Sequence, residues 1–286
     1  MASQKSLYQY NQERIHDTTN HDSAFLNYEN HWIEQYLATL DPGENLASLG
    51  DLIKSIERFV AEESSLESVT AEYVSQKMTR QEFQLLVEQF AIDGLTEAQV
   101  FYYVMPRLEL KAQLPLLRIL IDEFGSANPS KVHTALFVSL LQELNMPVTK
   151  NWYIDRTYSS SYEFVNMFYW LALRADDPSY FVGALTYLET VIPVLFPCMV
   201  DACARLNISA HHYYSEHCHI DKYHAIEGKN ILRAMAATHT LDVQKAWQGV
   251  QLSSLITNQV FDEAVSRIRK ISEQNVAALE EEFLYE

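Results

Sequence analysis

Apolar residues recur at helical spacing along nearly the whole chain, and the gaps between runs mark the turns. After Ser23, the set Phe25, Leu26, Trp32, Tyr36 and Leu37 keeps a helical period until Asp41-Pro42-Gly43 stops it. The same period predicts helices at about 46–63, 67–77 and 79–92. Gly94 punctuates the pattern, and Thr96 reads as the N-cap of a helix through Tyr102 that bends or breaks at Pro106. A long apolar segment reaches Phe124, where Gly125 to Pro129 supplies a stop and a restart. Ser130 to Leu144 is helical and ends at Asn145 to Pro147; further helices are expected at about 159–175, 178–206, 209–226, 228–237 and 241–283.

Residues 1–22 are polar with little periodicity and read as a tail or a loosely docked arm. Strand alternation is almost absent, and there is no internal repeat or low-complexity linker. The expectation is an all-α protein forming one compact unit. A tail and helical extension over residues 1–77 precede the main body over 78–286.

Composition narrows the class. With 286 residues, 48% hydrophobic and 21% charged, and only 7 Gly and 8 Pro, the chain is that of an ordinary globular protein. A net charge of -17 and the lack of a basic patch argue against nucleic acid or an anionic membrane as partner. The N-terminus, MASQKSLYQYNQER, lacks the apolar core of a secretion signal. The longest apolar run, Val191 to Val200, is about half a membrane span and contains Pro193 and Pro197. Three cysteines, Cys198, Cys203 and Cys218, with no C-x-x-C pair, suit a reducing compartment, so a cytoplasmic location is expected.

The stretch His211–Gly228, HHYYSEHCHIDKYHAIEG, carries the clearest chemistry. On a helix, which turns about 100° per residue, His217, Asp221 and His224 fall at about 0°, 40° and 340°. Two imidazoles and a carboxylate on one face suit iron or zinc, although a His- and Glu-rich helix also serves as a solvated face. Glu189 sits in YFVGALTYLETVIPVLFPCMV, a segment apolar nearly all round; a carboxylate there is paired, protonated or bound to metal. In DEFGSANPSKVH, Asp122 and Glu123 close one helix and His133 opens the next, so Glu123 and His133 converge if the turn folds back; the plainer reading is a helix end in which Asp122 is solvated and Gly125 serves as the C-cap. Glu97, in GLTEAQVFYYVMPRL, fits the first turn of a helix, where acidic residues favour the dipole; Glu88, Asp93 or Glu109 take its place if the register differs. Tyr213, Tyr214, Trp170, Phe168 and Tyr169 are candidates for a pocket wall or for core.

Together, the D-E-F-G turn with His133 ahead of Leu136-Phe137, Glu189 on a central apolar helix, and the H-x3-D-x2-H of His217, Asp221 and His224 resemble the heme-oxygenase-like diiron oxidases and oxygenases. TEAQVFYYVMPRL also resembles that family's earlier ligand helix. The resemblance covers roughly residues 80–230. It implies a seven-helix up-and-down bundle, here with an extra N-terminal helical segment. It further implies two irons held by Glu97, Glu123, His133, Glu189, His217, Asp221 and His224, with Glu123 as the bridge. Dioxygen would be co-substrate, an external reductant would supply electrons from an unnamed donor, and a homodimer is compatible. The substrate implied is a small molecule of specialised metabolism, first an amino acid or amine, alternatively a fatty acid. A ferritin-like scaffold does not fit, because its two buried E-x-x-H pairs are missing: only Glu13/His16 and Glu216/His219 have the spacing. Thiaminase-like relatives of the same fold suggest a non-redox hydrolase using Cys218, or a binding protein, as the other readings.

Overall fold

Helix follows helix, as the apolar period requires. The computed structural model describes residues 2–17 and 22–284, with side chains to residue 274. The chain forms α1 (Gln4–His16), α2 (Ser23–Leu37), α3 (Leu49–Ser65), α4 (Val69–Gln76), α5 (Arg80–Gly94), α6 (Leu110–Glu123) and α7 (His133–Glu143). It continues with α8 (Lys150–Tyr153), α9 (Ser159–Leu173), α10 (Ser179–Leu195), α11 (Pro197–Arg205), α12 (His212–Ala237) and α13 (Val243–Leu284). No strand occurs among the described residues, so the fold is all-α.

α10 is the axis. Every residue from Ser179 to Tyr187 is buried, which accounts for a helix apolar on all sides. α12 and α13 flank it, α6 packs on α12, and α9 lies between α13 and α1. Two glycines bring α10 and α13 into backbone contact. A Cβ on Gly183 would meet the Ala246 carbonyl oxygen at 1.9 Å, and one on Gly249 would meet the Tyr180 carbonyl oxygen at 2.1 Å.

Several expectations from periodicity are corrected. The break expected near residue 227 is absent, because Gly228 serves close packing: an added Cβ would lie 2.8 Å from Thr186 Oγ1 of α10, and α12 runs through it. The helix expected over 178–206 is divided at Phe196-Pro197, since neither Pro193 nor Pro197 can donate to a carbonyl one turn back. Thr96 caps no helix. Its hydroxyl donates back to the Ile92 carbonyl at 2.8 Å, Ala98 takes φ 61°, and two 3₁₀ turns (Gln99–Tyr103 and Met105–Arg107) replace the expected helix. Arg107 then donates to the carbonyls of Leu171 and Ala172 at 3.2 and 3.0 Å, closing the C-terminal end of α9.

The arm expected over residues 1–22 contains α1, which begins with a Ser3/Ser6 capping box and buries Leu7, Tyr8 and Tyr10; residues 18–21 lie outside the described residues. Its periodicity was weak because much of its contact face is polar. Asn11 Nδ2 donates to Asn166 Oδ1 at 3.2 Å, and Asn166 Nδ2 donates to the Gln4 carbonyl and side chain at 2.8 Å. Arg174 bridges Asn11 (2.8 Å) and the fully buried Glu29. Leu7, Trp32 and Leu52 belong to the same apolar cluster as Phe181 and Val250, so the N-terminal helices share the core of the main body.

Candidate metal centre

Five segments converge beside α10. The turn after α5 brings Glu97, the end of α6 brings Glu123, the start of α7 brings His133, α10 brings Glu189, and α12 brings His217, Asp221 and His224. On α12 the expected face is real: His217, Asp221 and His224 are 5%, 1% and 1% exposed, while His212, Glu216, His219 and Tyr223 face solvent.

The D-E-F-G turn folds back. Gly125 takes φ +60°, and a Cβ there would lie 2.6 Å from the Lys131 backbone, so glycine alone lets the two helix ends meet. His133 Nδ1 consequently lies 2.8 Å from Glu123 Oε2. At the far end of α7, Glu143 accepts from the Ser209 N–H at 2.7 Å and its hydroxyl at 2.9 Å, which ties α7 to the entrance of α12.

Two groups of donors result. In the first, the donor atoms of Glu97, Glu123, His133 and His217 lie within 4.8 Å of one another. His217 Nε2 is 2.7 Å from Glu97 Oε1 and 3.1 Å from His133 Nδ1. Its Nδ1 donates to the Tyr213 carbonyl at 2.6 Å, which fixes the ring with Nε2 facing the group. The second group contains Glu123, Asp221 and His224. His224 Nδ1 is 3.2 Å from Glu189 Oε2, 3.3 Å from Asp221 Oδ1 and 3.5 Å from Glu123 Oε1. Glu123 thus turns one oxygen to each group.

The donor set fits a metal on observations of its own. Glu97 Oε2, Asp221 Oδ1 and His224 Nε2 are buried without a hydrogen-bond partner among the described residues, and each such orphan costs about 1–3 kcal/mol. Carboxylates and imidazoles without thiolate suit iron, zinc or manganese. Burial lowers the His217 pKa, but Glu97 above all, then Asp221 and Glu123, raise it well beyond the usual imidazole range. His224 is likewise opposed by burial and pushed up to about 11 by Asp221 and Glu189. For His133, burial is overcome by the hydrogen bond and charge of Glu123. Burial and the charge of Asp221 push Glu189 up to about 7. Burial also acts on Glu123, but His133, His217 and His224 hold it below the usual range. Without metal, the cluster is therefore a store of protons that a cation displaces.

Beside the cluster lies a cavity of about 150 Å³, lined by Phe90, Phe101, Phe164, Phe168, Tyr169, Leu188, Phe196, Tyr213, Tyr214 and Phe261 among others. Of the aromatic candidates, Tyr213, Tyr214, Phe168 and Tyr169 line it, whereas Trp170 does not.

The sequence pattern of the iron-containing redox enzymes matches residues 84–256, more than half of the chain. The chain belongs to the iron-containing redox enzyme family. All seven clustered residues, from Glu97 to His224, fall within the matched stretch, and the all-α fold is the heme-oxygenase-like one. A nitrosourea synthase from Streptomyces achromogenes subsp. streptozoticus is 26% identical over 161 residues, covering 53% of this chain and 33% of that protein. The match thus spans about a third of that relative's length.

Two further residues near the cluster of this family member stand out less in the sequence. Asp122 reads as a solvated helix end, yet its Oδ2 lies 3.5 Å from His224 Nε2. Asp93 figures only as a substitute for Glu97, yet it lines the cavity, where burial and then Glu97 push its carboxyl up to about 8. Glycine at the next position masks it as a helix end. Cys218 carries no sign of an activated nucleophile: burial raises its thiol above the usual value.

Proposed function

We propose that this chain is a non-heme diiron oxidase or oxygenase acting on a small organic molecule, an amine or an amino acid, in specialised metabolism. The observation that carries the reading is Glu123, whose Oε2 meets the His133 group and whose Oε1 faces the His224 group. One carboxylate serving two sets of donors is what two neighbouring metal ions require. Glu97, Glu123, His133 and His217 would hold one iron, and Glu123, Glu189, Asp221 and His224 the other. When bound, two irons supply dioxygen activation, with electrons completed by an external reductant.

The chain's own residues do the rest. The Tyr213 carbonyl orients His217, the Gly125 turn sets the separation of Glu123 and His133, and the aromatic wall excludes water from the substrate. A relative named for making a nitrosourea supports chemistry at nitrogen. Anaerobic loading with Fe(II) and metal analysis tests the reading: about two irons per chain are expected, and no binding sinks it. On mixing the loaded protein with oxygen, a transient visible absorbance is expected in wild type and lost in Glu189→Ala and His217→Ala. Full retention in both variants would overturn the site.

A further inference from the structure

The cavity holds one carboxylate that the seven proposed ligands leave unused. Asp93 lies one helical turn before Glu97, at the end of α5, and forms part of the cavity wall. Its carboxylate receives no hydrogen bond from the described residues; the charges around it are Glu97 and Glu123, which repel it, and His217. His217 is already engaged by Glu97 on one nitrogen and the Tyr213 carbonyl on the other. No Lys or Arg lines the cavity among the described residues. A carboxylate in an apolar wall is costly until a cation or a proton joins it. The same wall presents Phe90, Phe101, Phe164, Phe168 and Tyr169, whose π faces attract cations and whose bodies bury hydrocarbon. With Glu97, Glu123, Glu189 and Asp221 of the same wall engaged with the histidines of the donor cluster, and no Lys or Arg beside it, the carboxylate left over at Asp93 favours a positively charged ligand over an anionic one.

We propose that Asp93 anchors the ammonium group of an apolar amine whose hydrocarbon part fills the aromatic cavity. The consequence for turnover rests on the diiron reading above; the binding itself does not. An ammonium at Asp93 sets the substrate nitrogen on the side of the cavity that carries Glu97 and His217. A free amino acid brings a carboxylate for which the cavity offers no Lys or Arg, His217 being held by Glu97, and a fatty acid brings only that group. Both are disfavoured relative to a simple amine of the same length.

Calorimetric titration of the full chain, metal-free and Fe(II)-loaded under nitrogen, tests this with four six-carbon probes: hexylamine, hexan-1-ol, hexanoate and norleucine. Wild type is expected to bind hexylamine at least about tenfold tighter than the other three. Asp93→Asn should bring hexylamine to within about threefold of hexan-1-ol, while hexan-1-ol affinity and iron content stay at wild-type values. Asp93→Glu should keep the amine preference. The proposal is overturned if wild type binds hexylamine no better than hexan-1-ol or not at all, if hexanoate or norleucine matches it, or if the preference survives in Asp93→Asn. Loss of iron in Asp93→Asn also overturns it, because Asp93 would then be a ligand. A chain that takes no iron but shows the Asp93-dependent amine preference defeats the diiron reading and leaves this one standing.

Discussion

Glu123 is the residue on which the centre turns. On the diiron reading proposed above, removing it abolishes both metal positions, whereas Asp221→Ala removes a donor from one group only. Metal analysis of the Fe(II)-loaded variants is expected to give close to no iron for Glu123→Ala and about one per chain for Asp221→Ala. Equal stoichiometry in the two would separate Glu123 from a bridging role. The protons held at the site give a second expectation. In the metal-free chain Glu189 and Asp93 titrate at about 7 and about 8, and His224 at about 11, all above their ordinary values. Groups with raised folded pKa stabilise fully below their unfolded values, and that stability is lost as pH rises through the folded ones. The chelator-treated protein should therefore unfold at lower urea at pH ~9 than at pH ~6. Iron loading should release protons and weaken as pH falls. Most of these residues were visible in the sequence because each broke a local rule: Glu189 in an apolar helix, His217, Asp221 and His224 on one face. Asp93 breaks no such rule, since an acidic residue near a helix end is ordinary until the cavity beside it is seen.

Among the elements, the closest packing lies between α10 and α13. Gly183→Ala and Gly249→Ala each place a methyl group against a backbone carbonyl and should destabilise by about 3 kcal/mol or more, read from urea unfolding. Gly228→Ala meets the Thr186 side chain at 2.8 Å, can relax through it, and should cost less. Helices with a sustained apolar period, such as α9 and α13, followed directly from the sequence. Boundaries governed by tertiary contact did not: the same residue type ends a helix at Gly94 and packs one against another at Gly228. The docking of α1 was hidden for a related reason. Its interface pairs Gln4 and Asn11 with Asn166 and Arg174, so the polar positions that signal an exposed arm are the buried ones. Asn11→Ala should therefore destabilise by about 1–3 kcal/mol, by leaving Asn166 Oδ1 buried without its donor and removing one of the acceptors of Arg174.

At the scale of the molecule, two apolar clusters share the helices around the donor groups, one containing Leu52, Phe181 and Val250, the other Phe83, Leu140 and Ile268. Leu7 is fully buried in the first, so Leu7→Ala should lower stability by about 2–5 kcal/mol. The all-α class was legible from period alone, and the family from seven ordered positions; how the N-terminal helices join the core was not, because nothing local records it. α12 gives a donor to both groups, and it is synthesised after Glu97, Glu123, His133 and Glu189. Neither group is complete until that helix leaves the ribosome and docks, so on the proposed reading iron capture belongs to the end of folding, and a nascent chain stalled before residue 212 carries four of the seven clustered residues.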